Sequence, residues 1–147
     1  MDTDKIKESL EEILAICEDG EIGYQTASEK INIGDFSTLF LRLSQQRKLF
    51  QEELKNEGLK LGIELKVSGS VKGFFHRTWL ATKALLGDNT EENVIADAME
   101  GEKQALTVYE KAMAKSELPA YIKEMLQEQQ KLIKVAIQQL QGLKQEL

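Results

Sequence analysis

Four polar side chains interrupt apolar helical stripes near their middles: Glu21, Gln46, Glu102 and Gln129. Burying a lone carboxylate costs several kcal/mol unless it is paired, hydrogen-bonded or protonated, so such residues need a reason. Two carboxylates and two amides at one depth can hold a cation through oxygen, share a proton, or form a network in which the amides of Gln46 and Gln129 donate to Glu21 and Glu102. Tyr24 and Tyr109 lie within two turns of the carboxylates and can join that network through their hydroxyls. Two neutral amides beside two carboxylates, with no imidazole among them, favour the network, which predicts that Glu102→Gln keeps the fold, since an amide can replace the carboxylate in it. Cys17, one turn before Glu21, reads as a small core hydrophobe because no histidine is near it in sequence. The only histidine, His76, stands apart beside Arg77. No Ser-His-Asp set, phosphate-cradling glycine loop or zinc spacing is present, and no catalytic residue is assigned.

The stripes define the elements that must carry these groups. The first is Ile6, Leu10, Ile13, Cys17, Tyr24, Ala27 and Ile31, and the second Leu39, Leu43, Gln46, Phe50, Leu54, Glu57 and Leu61. The third runs Ile95, Ala98, Glu102, Ala105, Tyr109 and Ala112, and the fourth Ile122, Leu126, Gln129, Ile133, Ala136, Leu140, Leu143 and Leu147. They predict an all-α single domain over 1–147, with helices at about 3–32, 36–61, 90–114 and 118–147. Short loops join the first and last pairs into antiparallel hairpins, and a longer link carries a short crossover helix at about 71–86. Gly20-Glu21 in one hairpin and Gly101-Glu102 in the other fall in overlaid segments, as do Gln46 and Gln129, suggesting two related hairpins about a pseudo-twofold axis.

The two-hairpin plan, the Gly-Glu pairs, Glu102 followed by Tyr109, and the Gly69-Ser70…His76-Arg77-x-Trp79 crossover together resemble a family of bacterial ferritin-like four-helix-bundle proteins of unknown function. The resemblance implies the ferritin-like fold and brings no established activity. Di-iron proteins of that fold place a Glu on each of two helices and Glu-x-x-His on each of the other two. Glu21 and Glu102 match the single-Glu positions, but Gln46 and Gln129 stand in the paired Glu slots, and Leu49 and Leu132 replace both histidines. With two carboxylates and no imidazole, the layer reads as a degenerate metal site. No metal ligand or cofactor is therefore assigned; iron or another divalent metal belongs to an alternative reading as an oxidase or storage protein.

The crossover offers another surface. Phe74, Phe75, His76, Arg77 and Trp79 make a basic-aromatic segment suited to packing on the bundle, to self-association or to a membrane surface. A homo-oligomeric interaction module using this helix is the second alternative. Lys and Arg number 19 against 25 Asp and Glu, giving a net charge of −6 that disfavours nucleic acid. At 41% hydrophobic and 30% charged, the chain is too apolar to be disordered, and its single proline leaves long helices possible. No apolar run reaches the roughly 18 residues of a membrane span, and one cysteine rules out an internal disulfide. These features point to a cytoplasmic, non-enzymatic protein acting through self-association or an unidentified protein partner, with a stress-related role suggested by fold analogy alone.

Overall fold

The structure is a computed structural model that describes residues 2–31, 34–67, 91–115 and 117–147. Among these residues it is all-α, with α1 Thr3–Lys30, α2 Gly34–Lys60, α3 Glu91–Lys115 and α4 Ala120–Gln145. The crossover helix expected at 71–86, with Phe74, Phe75, His76, Arg77 and Trp79, lies outside the described residues.

Local chemistry sets the ends of the helices. Asp2 caps α1, its carboxylate accepting from the backbone N–H of Asp4 at 3.1 Å and of Lys5 at 3.2 Å. At the other end of the hairpin, Gly62 adopts φ +75°. That left-handed backbone lets Ile63 N–H reach Gly58 O at 2.8 Å and Gly62 N–H reach Leu59 O at 2.9 Å, the Schellman closure of α2. Pro119 caps α4 from outside, where its missing N–H costs nothing. Gly34 opens the second helix, with Asp35 in its first turn.

Two ion pairs at one end of the bundle fix a helix direction. Lys115 at the end of α3 bridges Glu8 and Glu12 near the start of α1, so those helices are antiparallel. α1 packs against α2 and α3, and α4 against α3 and more sparsely against α2. The direction of travel is therefore up, down, down, up, so α2 ends and α3 begins at opposite ends of the bundle.

The interior is divided in two. One apolar cluster gathers Ile6, Leu10, Ile13, Leu54, Ile63, Leu65 and Ile122 at the end where α1 starts. The other gathers Ala27, Ile31, Leu39, Phe40, Ile95 and Leu140 at the opposite end. Between them sits a polar layer. α1 is the most enclosed helix, buried at every position from Ile13 to Cys17, whereas α4 buries a single stripe from Ile122 to Leu140. No described helix is long and apolar enough to cross a membrane.

Candidate functional site

The layer is built around a charge that periodicity alone did not place there. Arg47, 1% exposed, reaches across the bundle from α2 to Glu102 on α3, 0% exposed. Its Nη1 donates to Glu102 Oε1 at 2.6 Å and its Nη2 to Glu102 Oε2, a bidentate fork. Burial disfavours the guanidinium charge, but the adjacent Glu102 carboxylate more than offsets it and holds Arg47 above its ordinary range. The Tyr24 and Phe50 rings flank the guanidinium with centroids 5.6 Å and 5.7 Å away, on faces that favour a cation. Space for the Arg47 stem comes from Gly20: a Cβ there would lie 3.2 Å from Arg47 Nη1 and 3.3 Å from its Cγ.

The four expected layer residues take different places. Glu102 and Gln129 lie in the interior, but Glu21 and Gln46 are half-buried. On α2 the inward residue is Arg47, and Gln46 stands beside it, accepting from Arg47 Nε at 3.3 Å. Glu21 accepts from Gln51 Nε2 at 2.8 Å, not from Gln46. Gln129 donates to Glu53 Oε1 at 3.2 Å, not to Glu102. Glu102 thus shares its charge with an arginine instead of sharing a proton with a second carboxylate. The pseudo-twofold relation of the hairpins breaks here, because α2 is turned by one residue relative to the overlay.

A second chain of hydrogen bonds runs beneath the ion pair. Tyr109 donates its only hydroxyl proton to Gln129 Oε1 at 2.7 Å. Its oxygen is left to accept from the Cys17 thiol, 3.2 Å away. Through the Gln129 amide this path ends on Glu53. Burial pushes the Cys17 thiol up to about 11, so it is a buried thiol and no nucleophile at neutral pH. Burial, then the charge of Cys17, likewise lifts Tyr109 well above its ordinary range. Tyr24 is raised by burial first and by Glu102 second, with Arg47 opposing. Both phenols stay protonated, and Tyr109 serves as a hydrogen-bonding group.

The residues do not fit a di-iron centre. Among the described residues, no three His, Cys, Asp or Glu side chains converge to hold a metal ion. More decisive is the fixed cation: the carboxylate that a metal would use is taken on both oxygens by Arg47, whose charge repels a second cation at that depth. Arg47 was open to detection from sequence, since a buried Glu102 requires a positive partner and Arg47 lies mid-helix beside Phe50.

The sequence profile of a family described as a domain of unknown function, DUF2383, matches residues 5–115. That span is most of the chain. The chain belongs to this family. No curated protein matches it. The family match includes α2, α3 and α1 from its third residue on and so contains Cys17, Gly20, Arg47, Glu102 and Tyr109, while Gln129 on α4 lies beyond it.

Asp19 on α1 provides a pH test of this region. Burial, with the Glu18 charge second, pushes its carboxyl from 3.8 up to about 7. The folded value exceeds the unfolded one, so the neutral acid favours folding. That contribution is fully present below the unfolded value and is lost as pH rises through about 7. Discounted for solvent screening, the loss is about 1–3 kcal/mol. Thermal unfolding should show wild type losing stability from about pH 4 to pH 8 relative to Asp19→Asn, whose amide does not titrate.

Proposed function

We propose that the chain is a ferritin-like bundle whose metal layer is replaced by a built-in cation, and that it works through protein contacts without catalysis. One observation carries this: Arg47 occupies the mid-depth layer and binds both oxygens of Glu102. An iron site of this class draws on about four carboxylates and two imidazoles. Here the guanidinium supplies the positive charge without dissociating, and it satisfies the carboxylate with directional hydrogen bonds. The up-down-down-up travel of the helices, with one long link, supports the ferritin-like assignment. A bacterial cytoplasmic setting and a stress-related role rest on that fold analogy alone.

The test is metal analysis of protein purified from iron- or manganese-supplemented cells. Well under one metal per chain is expected, with unfolding unchanged by a chelator. Near-stoichiometric metal that disappears in Glu102→Ala would overturn the reading.

A further inference from the structure

The sparse contact between α2 and α4 leaves an open groove along one face of the bundle. It encloses about 700 Å³ and is lined by Arg42, Leu49 and Glu53 on α2 and by Leu132, Val135 and Gln139 on α4. Three of these are large apolar side chains held in water: Leu49 is 59% exposed, Val135 45% and Leu132 38%. A lone exposed leucine is ordinary, but three converging on one groove mark a surface that association would cover. We propose that this face is the interface of a homodimer, in which a second copy lays its own α2–α4 face antiparallel across it.

Charge placement selects the second copy. Arg42, Leu49 and Glu53 fall on one stripe of α2, with the two charges about three turns apart and the leucine between them. A twofold axis through the middle of that stripe, perpendicular to α2, sets Arg42 of each copy against Glu53 of the other and brings the two Leu49 side chains together. One surface thereby becomes its own complement, which is what an isologous dimer requires. Glu53 accepts one hydrogen bond from the Gln129 amide, and a carboxylate has lone pairs left for a second partner.

The size also fits. α2 has 27 residues and α4 has 26. At about 1.5 Å per residue and about 10 Å across, two such helices side by side present roughly 800 Å², the area one partner contributes to a standard interface. The described start of the link after α2 turns elsewhere: Lys66 N–H donates to Glu11 at 2.7 Å, placing it along α1, which does not touch α4.

The proposal concerns the surface and is independent of what the interior layer does. Sedimentation equilibrium of the full chain tests it. Wild type should have twice the 16.6 kDa chain mass. Leu49→Glu and Leu132→Glu should be monomeric with unchanged far-UV circular dichroism, because both positions are exposed and outside the core. Arg42→Glu and Glu53→Arg should each weaken the dimer by about ten-fold, and the two together should recover most of it. A wild type that stays monomeric at all concentrations would overturn the proposal, even if its groove takes up an amphiphile or another protein. So would a dimer that withstands all four substitutions.

Discussion

Glu102→Gln should cost about 3–5 kcal/mol of unfolding free energy, far more than an isosteric change on a surface. The carboxylate is the counter-charge to a guanidinium that is 1% exposed, and an amide cannot neutralise it. Arg47 cannot swing out to water either, since the Tyr24 and Phe50 rings flank it and Gly20 lies against its stem. Domains of this size have roughly 5–15 kcal/mol of stability in all, so Glu102→Gln should unfold at much lower urea concentration. This reverses the sequence expectation that the amide would be tolerated. The complementary experiment removes both charges: Arg47→Met with Glu102→Leu should be near wild type or more stable, because neither charge then needs to leave water. A Glu102→Gln variant as stable as wild type would show that the pair is not a buried ion pair in solution.

The second large effect is expected at Gly20. In a helix interior, Gly→Ala ordinarily gains up to about 1 kcal/mol. Here the new Cβ would press on Arg47 at 3.2–3.3 Å, so Gly20→Ala should lose that gain. Gly20→Leu should do worse, forcing the guanidinium off Glu102 and costing about 3 kcal/mol or more. A double-mutant cycle separates crowding of Arg47 from a general defect in α1. With Arg47→Met and Glu102→Leu in place, Gly20→Ala should become stabilising, since the shorter, uncharged side chain can move. If Gly20→Ala is equally harmful in both backgrounds, the glycine serves some need other than the arginine.

These two predictions meet where sequence reasoning was weakest. On α3 the stripe Ile95, Ala98, Glu102, Ala105, Tyr109 and Ala112 is buried throughout, and on α4 the stripe from Ile122 to Leu140 is buried as well. Each of those helices has one apolar face, so steps of three and four residues have a single solution. On α2 they have two: Leu43, Gln46, Phe50, Leu54 and Leu43, Arg47, Phe50, Leu54 are equally regular. Preference against burying charge favours the first, and the structure takes the second. The half-buried Glu21 follows from the same cause, because Gly20 rather than Glu21 faces the arginine stem.

Sequence alone determined what is local. Scarce proline, regular apolar spacing and local turn residues specify the four described helices and where they stop, since capping and periodicity act over a few residues. It also pointed to Glu102 as a polar interruption of the apolar stripe on α3. Only the tertiary structure decided what satisfies that carboxylate. The choice between an amide, a metal and an arginine depends on the rotation of α2 against α1 and α3, and that rotation is settled by charge pairing across helices distant in sequence. The open α2–α4 face is a tertiary result for the same reason: exposure of Leu49, Leu132 and Val135 depends on how far two helices stand apart, a distance no single helix encodes.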